Sequence, residues 1–163
     1  MLDQRIPINS TQLGPPLSAF RFLVTFFGIG DEPVPNPVDI RFKSVSGLKF
    51  SLKSKTDAHI GGQRVGKPEK TGEETLTLSR GFIPGPSPLR MEIEIILMKQ
   101  EKEVKPRDIL VIAMDDVGFP MASWLVKNAK MTEYTVSGFD ADQNSLLIET
   151  MQFTYRDIIQ LSI

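Results

Sequence analysis

The residues of this chain that could do acid–base or nucleophilic chemistry are few and scattered. His59 is the only histidine among the 163 residues, and there is no cysteine. The spacings H-x-x-H and H-E-x-x-H are absent, so no zinc site of known spacing is predicted. No serine has the flanking residues of a nucleophile elbow. The only nucleophilic arrangement left open is a Ser-His-Asp triad assembled in space from distant positions.

Two acidic pairs, Asp115-Asp116 and Asp140/Asp142, are the candidates for metal binding or paired-carboxylate chemistry. Such pairs can bind Ca²⁺ or act as general acid and base. Both fall at predicted turns, where aspartate is common because its short side chain bonds to nearby backbone. We therefore predict no catalytic residue, no metal ligand and no cofactor, and a protein that is not an enzyme.

The polar segment from Ser54 to Gly72 is the remaining candidate binding site. Its lysines, arginine and glycines would suit a phosphate, but the G-x-x-x-x-G-K-[ST] pattern and its strand-to-helix context are missing. Loops this long in a compact domain are usually functional or disordered. The segment is therefore predicted to be a long, positively charged loop, and its residue types alone do not predict its function.

Length and composition favour one domain without disulfides. The net charge of −1 comes from 19 basic and 20 acidic residues. This balance argues against a general nucleic-acid binder, which would carry a basic excess. No apolar run reaches the ~20 residues of a membrane span. The first five residues lack the features of a signal peptide, so a cytoplasmic location is expected.

Alternating apolar residues predict short strands along most of the chain. The first strand is predicted over Ala19 to Ile29, and a second alternating segment runs from Val38 to Lys53. Ser46-Gly47 interrupts this segment, so we expect a bulge or kink there. Residues 1–17 form a polar arm that is either disordered or ordered against a neighbouring subunit.

The middle of the chain predicts a strand, a helix and a hairpin. Glu74 to Arg80 alternates as a strand. Ser87-Pro88 is a helix start, with serine as the N-cap and proline at the first helical position. Leu89 to Lys102 fits both a helical stripe and a strand alternation, and the cap favours the helix. Asp108 to Met114 is the next predicted strand, and Asp115 to Gly118 is its hairpin turn.

The C-terminal run from Ser123 to Tyr155 divides into three strand-like pieces, with a turn predicted at each break. The last piece presents Leu147, Met151 and Tyr155 on one apolar face. The predicted fold is mainly β: a small antiparallel barrel or sandwich of six to eight strands, with one helix packed against it and a long loop between strands two and three. The predicted core residues are Phe22, Leu48, Leu78, Trp124, Phe139 and Phe153.

Four segments in order resemble those of the tail-tube proteins of contractile phages and phage-tail-like contractile injection systems. They are Phe20-Arg21-Phe22-Leu23-Val24, Val45-Ser46-Gly47-Leu48, Leu76-Thr77-Leu78-Ser79-Arg80-Gly81 and the C-terminal run with its tryptophan strand. The chain departs from the family in two places, because the helix lacks the usual aromatic residue and Met131-Thr132-Glu133-Tyr134 replaces a Pro-Lys-Trp-like segment.

The resemblance implies a structural subunit of hexameric rings that stack head to tail into a hollow inner tube. Its implied partners are further copies, adjoining tube and baseplate hub or spike proteins, and the surrounding sheath. The chain could be the repeating shaft subunit or the tube initiator, which is the first layer on the baseplate. By position the loop would reach the adjacent ring, through Lys53, Lys55, Asp57, His59, Gly61, Gly62, Arg64, Lys67 and Lys70.

The resemblance divides the chain into an N-terminal arm, residues 1–17, and a tail-tube domain, residues 18–163. Other classes stay open on the residues alone. They are a soluble ligand-binding β-barrel, a hydrolase with a spatially assembled site, and a structural module unrelated to tails.

Overall fold

A computed structural model describes residues 21–28, 40–54, 68–70, 72–99, 104–137 and 146–161. These residues form ten strands and one helix. In chain order they are β1 (Arg21–Phe26), β2 (Arg41–Phe42), β3 (Ser44–Ser46), β4 (Leu52–Ser54), β5 (Pro68–Lys70), β6 (Glu74–Gly81), α1 (Pro88–Lys99), β7 (Arg107–Met114), β8 (Pro120–Val136), β9 (Ile148–Tyr155) and β10 (Asp157–Leu161).

All strand pairs are antiparallel, and eight strands form one sheet in the order β2-β1-β7-β8-β9-β6-β3, with β10 also paired to β8. The two ends of this order, β2 and β3, are separated in the chain by Lys43 alone, whose backbone N–H donates to the Ser79 carbonyl at 2.9 Å. The sheet therefore folds over on itself without closing. This confirms the mainly β fold with one helix, in an open sandwich-like form rather than a closed barrel.

The predicted second strand, Val38 to Lys53, is wrong as a single element. Its described part contains β2, β3 and β4, and each of these pairs with a different strand. The break at Lys43 exists because the chain leaves β1 and joins β6 at that residue.

The strand β8 runs unbroken through a position where a turn was predicted. Its 17 residues pair with β7 and β10 in the first half and with β9 in the second. The turn prediction between residues 130 and 133 is wrong because irregular pairing absorbs the change of partner. Asn128 has a φ of 51°, a conformation that asparagine tolerates, and its N–H donates to Asp108 Oδ1 at 2.9 Å. The extra strand β10 was not predicted.

The helix and the hairpin turn form where the polar residues predict them. The Ser87 Oγ accepts a hydrogen bond from the Arg90 N–H at 3.3 Å, as an N-cap should. Asp115 Oδ1 accepts hydrogen bonds from the backbone N–H groups of Val117, Gly118 and Phe119 at 2.7–3.0 Å. This carboxylate thus organises the β7–β8 turn.

The core lies between the two folded halves of the sheet. Leu78 and Phe153 are fully buried in it, whereas Phe22, Leu48 and Trp124 are partly buried and pack against it. On β8 the fully buried hydrophobic residues include Val126 and Ala129, so the tryptophan lies at the margin of the core. Phe139 lies outside the described residues.

Gly47 directly follows β3, at a point where its backbone lies close to the backbone of Thr75 on β6. Its φ is +86°, and a Cβ at this position would lie 1.9 Å from the carbonyl oxygen of Thr75. A bulge or kink was expected at Ser46-Gly47, and the structure has a close approach of two backbones there. Only glycine fits here, because both the dihedral angle and the space exclude a side chain.

We expect Gly47→Ala to destabilise the fold by more than about 1–2 kcal/mol, because the left-handed conformation alone costs that much before the clash is counted. Gly81→Ala is the matched control, because no atom lies within 4 Å of a Cβ there. Urea unfolding of both variants measures the difference. Equal stability of the two variants would contradict the close approach.

Candidate assembly surfaces

One half of the sheet, formed by β3, β6, β9 and the second half of β8, has a neutral polar outer face. Its cross-strand rows carry hydroxyl groups, as in the row that pairs Ser44 with Ser79 and Ser79 with Thr150. The Ser79 and Thr150 hydroxyl oxygens are 3.1 Å apart. We call this surface the hydroxyl face; it comprises Ser44, Ser46, Thr75, Thr77, Ser79, Thr135, Thr150, Gln152 and Thr154.

The charged side chains next to the hydroxyl face lie along β8. Lys130 is opposite Thr154, and Glu133 is opposite Gln152. Their charges are opposite, so the hydroxyl face has almost no net charge. Such a surface holds water through hydrogen bonds without a strong electrostatic field.

The hydroxyl-bearing half of the sheet ends in a free edge on each side. Among the described residues, β3 pairs only with β6, and residues 130–136 of β8 pair only with β9. Unpaired N–H and C=O groups on such edges are a template for another strand. The two edges belong to different strands, so they can meet each other in a contact between two copies.

The other half of the sheet has apolar residues on its outer face as well as in the core. Leu110 is opposite Leu125, and Leu125 is opposite Ile159. Ile159 and Leu161 expose 47% and 37% of their surface. We call this the apolar face; it comprises Leu23, Leu110, Ile112, Leu125, Ile159 and Leu161.

A cluster of cations borders the apolar face at β1 and β2. Arg21, Arg41 and Lys43 are exposed, and Arg41 is directly opposite Leu23. No acidic side chain in the described parts of the chain forms a salt bridge with any of the three. We call these three residues the basic corner.

A buried ion pair connects the helix to the hydroxyl-bearing half of the sheet. Arg80 on β6 and Glu149 on β9 are 2% and 0% exposed and are bonded to each other. The Tyr134 hydroxyl donates to Glu149 Oε2 at 2.8 Å, and Arg90 of α1 approaches the same oxygen at 3.4 Å. The guanidinium of Arg90 also lies 4.4 Å from the ring centroid of Phe82.

Sequence reasoning missed this pair although one signal was visible. Glu149 lies between Leu147 and Met151 on the face of β9 predicted to be apolar, and a carboxylate is seldom fully buried unless it is paired. The partner Arg80 is 69 positions away, and no local pattern connects the two residues.

Two tyrosines have raised pKa values because they are buried. The pKa of Tyr134 rises through burial and through its hydrogen bond to Glu149. Burial also raises the pKa of Tyr155, against the effect of its contact with the Lys49 backbone. The Tyr155 hydroxyl donates to the Gly47 carbonyl at 2.6 Å and accepts from the Lys49 N–H at 2.8 Å. Both groups are therefore structural rather than suited to proton transfer near neutral pH.

Of the predicted inter-ring residues, Lys53 and Lys70 lie in the two-stranded β4–β5 hairpin, where Lys53 is opposite Glu69. This hairpin brings together the two ends of the predicted loop. The other seven lie outside the described residues: Lys55, Asp57, His59, Gly61, Gly62, Arg64 and Lys67. The acidic pair Asp140/Asp142 also lies outside them.

Within the described ranges, no three His, Asp or Glu side chains come close enough together to hold a metal ion. The helix found there has 12 residues, which is too short to span a membrane.

The described part of the chain is thus an open antiparallel sandwich, one half of which has a free edge on each side. The chain belongs to the family of the T4-like virus tail tube protein gp19, whose model matches residues 18–159. The resemblance found in the sequence is thereby confirmed, and the family consists of structural tube proteins, not enzymes.

Solved structures of contractile particles are similar over nearly the whole chain. A chain of the anti-feeding prophage baseplate is 25% identical, with 92% of this chain and 98% of that chain covered and a TM-score of 0.67. A chain of the PVC sheath–tube complex, from an extracellular contractile injection system, is 26% identical, with 95% and 99% covered and a TM-score of 0.65. A chain of the PVC sheath/tube terminator is 28% identical, with 92% and 99% covered and a TM-score of 0.63. No curated protein sequence matches the chain.

We expect Glu149→Leu to cost about 3–5 kcal/mol, because it leaves the buried Arg80 without its counter-charge. The matched control is Glu73→Leu, which breaks the Glu73–Arg156 pair, whose side chains are 55% and 74% exposed. Exposed pairs contribute under about 1 kcal/mol. Urea unfolding compares the two variants, and similar small losses in both would show that the buried pair does not stabilise the fold.

We expect both tyrosines to ionise above pH 10 in the folded protein, because their pKa values are raised from the ordinary value of 10.0. The stability they contribute is complete below pH 10 and is lost as the pH rises through the raised values. Tyrosinate absorbance against pH measures this in native and urea-unfolded protein. Tyr134→Phe isolates Tyr155. Identical native and unfolded curves would contradict the burial of both groups.

Proposed function

We propose that the chain forms hexameric rings that stack head to tail into the inner tube of a phage-tail-like contractile injection system. The observation that carries the proposal is the hydroxyl-bearing half of the sheet with a free edge on each side. Pairing β3 of one copy with the second half of β8 of the next uses each of these two edges once. Such a contact joins different surfaces, and repeated contacts of this kind generate a ring when the rotation closes.

The contrast between the two outer faces supports an orientation for each subunit. A water-filled channel needs a hydrated wall, which the hydroxyl face supplies. The apolar face would expose a contiguous patch to water, which soluble proteins avoid unless the patch is covered. The hydroxyl face is therefore assigned to the lumen, and the apolar face points away from it.

The β4–β5 hairpin supports the proposed contact between successive rings. It follows β3 and precedes β6, so it extends from the pair of strands that the lumen wall would contain. A projection along the tube axis would meet the next ring. The lysines and glycines of residues 53–70 are its candidate contacts.

The position of the subunit along the tube is part of the same proposal. Similar chains come from a baseplate, from a sheath–tube complex and from a terminator, at 25–28% identity. A shaft subunit and a tube initiator are both compatible with this range. Assembly in the cytoplasm, and contacts with the baseplate hub, spike and sheath, complete the proposal. The alternative of a ligand-binding β-barrel receives no support, because core side chains fill the space between the two halves of the folded sheet.

We expect Val136→Pro to give folded monomers that do not form rings. The Ser137 N–H donates to the Ile148 carbonyl at 2.8 Å, so strand alternation directs the Val136 N–H to the free edge. Proline removes that donor and is tolerated on edge strands.

The matched control is Val136→Ala, which shortens the same side chain and keeps the N–H, and it should form rings like wild type. Negative-stain microscopy and native mass measurement read out assembly, and circular dichroism checks folding. Rings formed by Val136→Pro would overturn closure through this edge. A wild-type chain that stays monomeric, alone and with its baseplate partners, would overturn the proposed function.

A further inference from the structure

The helix α1 has an exposed stripe on one side, among the side chains that the structure describes. Met91 and Met98 expose 52% and 82% of their surface, and Glu94, between them in the sequence, is exposed as well. Residues three, four and seven positions apart lie on one side of a helix. The opposite side buries Leu89 at 1% exposure. We call Met91, Glu94 and Met98 the methionine stripe.

The basic corner offers the complementary chemistry on the same chain. Arg21 and Arg41 line an open groove of about 440 Å³, whose apolar lining includes Leu23 and Met114. Lys43 is exposed two positions after Arg41. An occupant of this groove would need apolar side chains for its lining and a carboxylate for the cations. The methionine stripe has both, and methionine adapts well to irregular apolar surfaces.

The two surfaces lie beside opposite free edges of the hydroxyl-bearing half of the sheet. The helix packs near Ala129 and Met131 of β8, close to the β8 edge. Lys43 immediately precedes β3, which carries the other edge. A contact that brings the β8 edge of one copy to the β3 edge of the next therefore also brings the stripe toward the corner.

We infer that the methionine stripe of each copy docks into the basic corner of the neighbouring copy in the same ring. The inference rests on the proposed ring and adds a second, side-chain-mediated contact outside the lumen wall. Met91 and Met98 fill the apolar groove, and Glu94 pairs with Arg21, Arg41 or Lys43. The contact joins two different surfaces of the chain, which is what repeated association around a ring requires.

The absence of cysteine from the chain makes cross-linking between introduced thiols a direct test. The double variant Met98→Cys/Arg41→Cys, assembled and treated with a short thiol cross-linker, should give a ladder of covalent oligomers. Either single variant should give none. The matched control, Met98→Cys/Ile159→Cys, replaces another exposed position that lies four strands from β2 in the sheet order, and it should remain monomeric under denaturing conditions.

Charge reversal supplies the second measurement. Glu94→Lys and Arg41→Glu should each raise the protein concentration needed for ring formation at least tenfold, and combining them should restore most of the loss. Rings that give no cross-linked ladder and no rescue would overturn the docking and leave the proposed function standing. A cross-link confined to monomers would also overturn it. Failure of the wild-type chain to form rings overturns the ring and the docking together.

Discussion

The strand β8 is the constraint on which the rest of this structure depends. Its first half belongs to the part of the sheet with the apolar outer face, and its second half belongs to the part with the hydroxyl face. A continuous backbone thus fixes the angle between the two parts. The strands β9 and β10 follow the same edge of β8 on either side of Arg156, so the junction consists of paired backbones rather than of a flexible linker.

The buried ion pair reinforces this junction from inside. Glu149 on β9 receives contacts from Arg80, Tyr134 and Arg90, which belong to β6, β8 and α1. A carboxylate in an apolar interior is tolerated only when such partners surround it. The helix is therefore positioned by charge as well as by the burial of Leu89, and its exposed stripe acquires a defined direction. Assembly surfaces on separate elements depend on this rigidity, because a ring repeats any error in orientation at each contact.

Local patterns predicted the elements whose structure is decided locally. The strands β6 and β7 alternate because each buries one face. Ser87 begins the helix because its side chain accepts a hydrogen bond from a backbone N–H of the first turn. Asp115 forms the turn because its side chain bonds to three nearby backbone N–H groups. The strand β8 was divided because a turn was predicted between residues 130 and 133, whereas pairing with several strands keeps the chain extended there. The strand β10 was missed because its stability comes from pairing with β8, whose partner residues, from Lys127 for Asp157 to Ser123 for Leu161, lie far earlier in the chain.

The assembly surfaces required the sheet order before they could be recognised. The alternating Thr75, Thr77 and Ser79 are visible in the sequence, but their continuation into Thr150 and Gln152 depends on the pairing of β6 with β9. The strand order also shows which edges of the sheet are unpaired. The apolar face was not predicted, because leucines such as Leu110 and Leu125 look like core residues in the sequence. The structure shows that their neighbours Ile109 and Val126 are the buried residues, so the leucines point outward.

The central claim is that the free edges of β3 and β8 pair with each other between copies around a lumen lined by the hydroxyl face. Amide hydrogen exchange measured on the free subunit and on the assembled tube tests it most directly. The account predicts that amides at alternate positions of residues 130–136, and those on the outer edge of residues 44–46, exchange rapidly in the subunit and slowly in the tube. Equally rapid exchange in both states would contradict the claim.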